Sequence, residues 1–157
     1  MRDEFNLPAV KTALGRNYRS LREIFRWYAT ASTGWPFQIG LNAFTEFAHD
    51  AKLKDDEHCQ TKDLDTIFIS SNVEKVKEHD NHLHALTRFE FVEAVVRIAV
   101  ARYAKSKRFP DILEASDAVE KLIEADLLPV TPYEGADDFR REQLYPCLLY
   151  TSDAADE

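Results

Sequence analysis

Glycine and proline are scarce in this chain, four and six residues of 157. Sandwiches and barrels draw heavily on both for their turns, so this scarcity, beside abundant Ala, Leu, Glu and Lys, points to an all-α fold. Long apolar runs are missing too. The most apolar segment, "FVEAVVRIAVARYA", is broken by Glu93, Arg97 and Arg102, well short of the roughly 20 apolar residues that a membrane span needs. No transmembrane helix is therefore expected. The N-terminal "MRDEFNLPAVKTALG" lacks a basic-then-apolar signal pattern, which makes the cytoplasm the expected compartment. The two cysteines, Cys59 and Cys147, cannot build a disulfide framework, and a single thiol beside His58 is expected to be an ordinary thiol. Clustered positive charge is also lacking in a chain of net charge -8. The run Arg102, Lys105, Lys107, Arg108 falls at a predicted helix end, where cations complement the dipole, and no nucleic-acid partner is expected. There is no Gly-rich phosphate loop, nucleophile elbow or complete metal motif, so neither enzymatic activity nor a cofactor is expected.

What the chain does have is enough apolar mass for one domain: 45% hydrophobic residues, with ten Phe and six Tyr. Its last eleven residues, "CLLYTSDAADE" at 147–157, stand apart. They match one reading frame of a common transposase sequencing adapter, and the codon of Pro146 would end in the adapter's first base. This segment is expected to be an artefact, and the chain to be a fragment cut near Tyr145. Without the tail the balance of 20 basic and 28 acidic residues becomes 20 and 25, a net of -5.

Apolar periodicity predicts five helices. Leu21, Ile24, Phe25 and Tyr28 share one face, with Asn17 as the N-cap; Phe44, Phe47, Ala48 and Ala51 repeat the pattern after a break at Gly34, Pro36 and Gly40. Thr61 opens a short helix, with Asp63 and Asp65 near its positive end and Leu64, Ile67 and Phe68 inward. Thr87 and Glu90 form a capping box, flanked by Leu86 and Phe91 as a hydrophobic staple; Phe91, Val95, Ile98 and Tyr103 continue inward. Ser116 caps a fifth helix bearing Val119, Leu122, Ile123 and Leu127, ended by Pro129 and Pro132. The expected organisation is an N-terminal extension (1–16), a helical domain (17–129), a linker with the start of a truncated further helical unit (130–146) and the adapter-like tail (147–157).

The first four helices form two helix-loop-helix units that can be laid on the EF-hand register. Ser32–Ala43 is then a twelve-residue loop with Ile39 at its eighth position. The second loop runs from Asn72 to Glu90, seven residues longer, with Leu86 at the equivalent of position eight. Calcium needs six to eight oxygens, supplied chiefly from positions 1, 3, 5 and 12. The first loop places Ser32, Gly34, Pro36 and Ala43 there and offers no carboxylate. The second keeps Glu90 but loses the acidic run, and Glu90 is already explained by its cap. His79, His82 and His84 lie in that longer loop. Imidazole suits zinc or nickel, but a closed site wants four ligands, and a solvated loop titrating near neutral pH is the preferred expectation. No metal ligand is assigned. Trp35 and Phe37 are the candidate partner-binding residues: at the tip of the first loop Trp35 either anchors a partner or folds back over the core.

The segments "LTRFEFVEAVVRIA", "DLDTIFISSN" and "LNAFTEFAHDAKL" resemble the EF-hand-like module of the tubulin polymerisation-promoting family. They also resemble related modules in large cytoskeletal or ciliary proteins of unicellular eukaryotes, over about Tyr18 to Pro129. The resemblance implies a pair of EF-hand-like units, mostly without calcium, and a cytoskeletal association. It transfers no catalytic residue, and the chain departs from the pattern by the longer second loop and by lacking basic tubulin-binding segments. The expected function is a non-enzymatic protein-interaction module with degenerate EF-hands, receiving a partner helix or a neighbouring module, with tubulin or microtubules as candidate partners. A calcium-responsive regulator is the alternative.

Overall fold

The computed structural model describes residues 6–31, 37–72, 85–106 and 108–131. Helices make up 72% of the described residues, so the fold is all-α, and its only strands there are two residues long.

Helix α1 spans Leu7–Arg16. Its Asn6 cap accepts from the Ala9 N–H at 3.4 Å, and Pro8 sits in the first turn, where a missing N–H removes no helical bond. Residues 1–16 were expected to be an extension, yet from Leu7 onward they are part of the domain: Val10 and Ala13 are buried, and α1 packs against α2 and α6. Asn17 links α1 to α2 (Tyr18–Ala31), with its backbone carbonyl accepting from Leu21 N–H at 3.1 Å. Its amide reaches backward instead, donating to the Ala13 carbonyl at 3.1 Å, so the side chain closes α1 where an N-cap of α2 was expected.

The first unit continues through β1 (Ile39–Gly40) into α3 (Leu41–Asp50); the second comprises α4 (Thr61–Ser71), β2 (Ala85–Leu86) and α5 (Arg88–Ala99). β1 and β2 pair antiparallel, Ile39 opposite Leu86 and Gly40 opposite Ala85. The two residues assigned to equivalent eighth positions therefore face each other, and both are fully buried. Helix α5 starts as expected: Glu90 Oε2 accepts from Thr87 N–H at 2.8 Å and from Thr87 Oγ1 at 2.9 Å. Helix α4 opens at Thr61, as expected. Gln60 is its cap and donates its N–H to Asp63 Oδ2 at 3.0 Å, with Thr61 already inside the first turn.

Every residue of the predicted stripes on α2, α3 and α5 is buried, and aromatic rings fill the centre. Phe47 lies 5.5 Å from Tyr28, 6.0 Å from Phe44 and 5.2 Å from Phe91, centroid to centroid, and Phe44 reaches Phe68 at 5.3 Å. These edge and tilted contacts join all four helices of the two units. Helix α6 (Ala115–Leu122) then packs along α5, with Val119, Leu122, Ile123 and Leu127 fully buried. Its cap is Glu114, with Ser116 in the first turn, Oγ 3.4 Å from Glu114 Oε2. Pro129 does not stop the chain at once, because a 3-10 turn, Leu128–Val130, accommodates it.

Two π-helical turns extend these helices, Val100–Ala104 after α5 and Ile123–Leu127 after α6. A π turn adds a residue per turn and re-aims the side chains it carries. Here they bring Arg102 and Tyr103 to Asp126: Arg102 Nε lies 3.2 Å from Asp126 Oδ2, and Tyr103 Oη donates to the same oxygen at 2.7 Å. Arg102 Nη1 also donates to the Leu53 carbonyl at 2.8 Å and stands 4.0 Å from Asp55 Oδ2. Asp55 in turn accepts the backbone N–H groups of Glu57, His58 and Cys59 on Oδ1, at 2.9, 2.8 and 2.8 Å. The α3–α4 connection is thus tied to the far half of the domain through one guanidinium. Burial opposes ionisation of Asp55, but the three N–H donors and Arg102 outweigh it and hold the carboxyl below the ordinary range.

Two predictions follow from this packing. Phe47→Ala, with the ring fully buried among three others, should destabilise the protein by about 3–5 kcal/mol, read as a lowered urea midpoint with little change in slope. Because the folded pKa of Asp55 is depressed, its contribution is present above the unfolded value of about 4 and lost as pH falls through the folded value. Asp55→Asn should therefore lose about 1–3 kcal/mol at pH 7. The gap to the wild type should shrink progressively below about pH 4 in paired urea titrations.

Candidate functional site

A groove of about 420 Å³ lies between α3 and the start of α4. Phe44, Ala48 and Leu64 form its floor, and Thr45, His49 and Thr61 its walls. Helix α3 is packed by α2 and α4, whereas its counterpart α5 is packed by α2, α4 and α6. The outward side of α3 is left without an added helix among the described residues. Lys52 and Lys54, which follow α3, and Asp65 of α4 complete the lining. Both lysines are exposed and have no ion-pair partner among the described residues. Their methylene stems extend the apolar lining while the ammonium groups stay in water.

The rim is built by the way α3 ends. Leu53 N–H bonds the Ala48 carbonyl at 2.9 Å and Lys52 N–H bonds the His49 carbonyl at 3.0 Å, the two bonds of a Schellman motif. This places Lys52 in the left-handed region at φ 50°, the one positive φ among the described non-glycine residues. Glycine occupies such positions at no steric cost, while a side chain there costs about 1 kcal/mol. Buried Leu53 follows and anchors the turn. The Asp55 turn then leads into α4, whose Thr61, Leu64 and Asp65 belong to the lining.

Of the two residues singled out from sequence, Phe37 is strongly exposed, at 72%, at the loop end of the molecule and does not line the groove; Trp35 lies outside the described residues. His79, His82 and His84 also lie outside them. Among the described residues no group of three His, Cys, Asp or Glu side chains is arranged to hold a metal. Likewise, none of the described helices is long and apolar enough to cross a membrane. Glu90 is buried and its Oε2 is engaged at the start of α5. Cys59 is fully buried beneath the Asp55 turn; burial first, and then the Asp55 charge, push its thiol up to about 12. A thiol held that high is not a nucleophile at neutral pH.

The groove was not singled out from sequence because Phe44, Ala48 and Leu64 read simply as inward stripes. The alternation "AKLKDD", two lysines around an apolar residue directly after a helix, was the available signal. No family model, curated protein or solved structure matches this chain.

Cys59 supplies a direct check of the packing. In a Cys147→Ser background, folded protein at pH 8 should react with a thiol reagent far more slowly than the same protein in urea. Equal rates would mean that the Asp55 turn does not cover it.

Proposed function

We propose that this chain is a non-enzymatic protein-interaction module built from two degenerate EF-hand-like units. In this proposal the α3–α4 groove receives a helix of a partner or of a neighbouring module. One observation carries it: an apolar-floored groove beside an exit helix that, unlike α5, has no helix laid on its outer side among the described residues. An amphipathic helix pressing i, i+3, i+4 and i+7 anchors into such a groove is a recurring mode of recognition. The register of Ile39 and Leu86 and the ring cluster around Phe47 support the EF-hand-like assignment. A larger cytoskeletal or ciliary protein, with a tubulin or microtubule-associated partner in the cytoplasm, is the proposed setting, resting on the resemblance of the three sequence segments alone. Phe37, with Trp35, is a second proposed contact at the loop end.

Calcium-responsive regulation is the second reading. Glu90, the residue in the bidentate position, favours it, but that carboxylate serves the Thr87 cap. A cation would have to displace a cap worth about 1 kcal/mol and find its remaining oxygens elsewhere.

Thr45 is exposed and borders the groove, so Thr45→Trp fills it without disturbing the core. Partners captured by crosslinking, and co-pelleting with microtubules, should both diminish in Thr45→Trp relative to wild type. Binding that is unchanged by the substitution would remove the groove from the mechanism. Trp27, half exposed on α2, should show no emission change up to millimolar calcium, whereas a saturable change would favour the second reading.

A further inference from the structure

We infer that the occupant of the α3–α4 groove is an amphipathic helix with an acidic flank, whose carboxylates pair with Lys52 and Lys54. The inference rests on the groove being the binding site and adds the chemistry of what it binds.

Charge complementarity is the first ground. The whole chain is acidic, at net -8, and exposed Asp50 ends α3, yet two of the charged residues that line the groove are lysines without ion-pair partners among the described residues. His49, also exposed, lines the groove with its Nδ1 3.4 Å from Asp50 Oδ1, and Asp65 is the sole carboxylate among the lining residues. A basic helix would meet like charge at the lysines; an acidic one would meet opposite charge. The ammonium groups sit beside an apolar floor, where partial desolvation on docking strengthens the pairing relative to open solvent.

The backbone supplies the second ground. At the left-handed position where α3 ends, glycine would suit the fold better, and a lysine stands there instead. Lys52 lines the groove, so a position whose backbone favours glycine carries a cation beside the apolar floor. A cation there also complements the negative end of α3, so docking is a role added to a local one for this side chain.

The molecule already contains one interaction of this kind. Helix α6 with its π turn carries Asp117, Glu120, Glu124 and Asp126 against Lys121 alone, and buries its apolar stripe on the α5 side. Two of its acids are paired at the edges: Glu120 Oε1 lies 3.2 Å from Arg16 Nη1, and Asp126 is held by Arg102. An acidic amphipathic helix docked beside an exit helix, with basic groups at its margin, is thus a packing this fold already uses. On α3 the floor is smaller and the wall more polar than on α5, with Thr45, His49 and Lys52 where α5 has Val92, Val96 and Ala99 at the same distances from the bridge. A partner there is held more by charge than α6 is, and its binding is correspondingly salt-sensitive.

The test uses the full chain and two labelled synthetic helices that share one leucine stripe at i, i+3, i+4 and i+7, one flanked by glutamates and the other by lysines. Fluorescence anisotropy should show the acidic helix binding at least about tenfold tighter at low salt, with the difference shrinking as salt rises. In Lys52→Glu/Lys54→Glu the preference should invert. Lys52→Gly should weaken the acidic helix while leaving the urea midpoint unchanged or raised, which separates a binding role from a structural one. Equal or tighter binding of the basic helix, abolished by Thr45→Trp, would overturn the acidic assignment and leave the groove standing. Failure of both helices to bind, or binding indifferent to Thr45→Trp, would overturn the groove itself.

Discussion

Two residues of strand on each side, Ile39–Gly40 against Ala85–Leu86, set the geometry from which the rest of the domain follows. A helix-loop-helix unit of this size cannot bury its own apolar stripe, and the bridge turns the stripes of two units toward each other. Phe44 lies five residues beyond Ile39 and Phe91 five beyond Leu86, so both exit helices enter the core in matching phase. Phe47 then touches Phe44, Tyr28 and Phe91 at once. A register slip of one residue would turn these rings away from one another, which is why so short a sheet can specify the arrangement of four helices.

The two exit helices nevertheless have different surroundings. Beyond α5 the chain continues through a π turn to Arg102 and Tyr103, and α6 returns to bring Asp126 against both. Arg102 spends its remaining reach on the Leu53 carbonyl and Asp55, so one guanidinium joins the α3–α4 connection to the last helix. Removing one partner of such a partly buried set leaves the others desolvated and unpaired, so the α3–α4 connection and the last helix are coupled in stability.

Much of this was legible in the sequence, and the illegible parts have physical causes. The stripes on α2, α3 and α5, the Thr87–Glu90 cap and the equivalence of Ile39 and Leu86 all depend on local spacing, which apolar periodicity records directly. Helix α1 escaped notice because ten residues with a narrow stripe at Val10 and Ala13 resemble an exposed extension until α6 is there to cover them. Gln60, Glu114 and the backward reach of Asn17 were missed because caps compete within one or two residues, and only the tertiary packing decides among them. The π turns were invisible, since an inserted residue alters hydrogen bonding without changing residue type. The groove belongs to the same class: it lies between two helices joined by a connection in which one carboxylate accepts three N–H groups, and no stripe encodes it.

On the proposed reading, loss of an ion and gain of a binding surface are linked. In a calcium-responsive pair the energy that opens the helices comes from the ion, and the apolar surface is hidden until then. Here Glu90 serves as a cap, and the α3–α4 connection is tied by Asp55 and Arg102 instead. In the proposed interaction module, a groove bordered by internal hydrogen bonds and ion pairs needs no ion to form, and selectivity then comes from its rim rather than from its timing. Lys52, fixed at a strained position beside an apolar floor, supplies such a rim. In that proposal, lysines without ion-pair partners among the described residues, set beside an apolar floor, also discourage unselective hydrophobic association, because an uncharged partner would have to desolvate the ammonium groups without replacing their water.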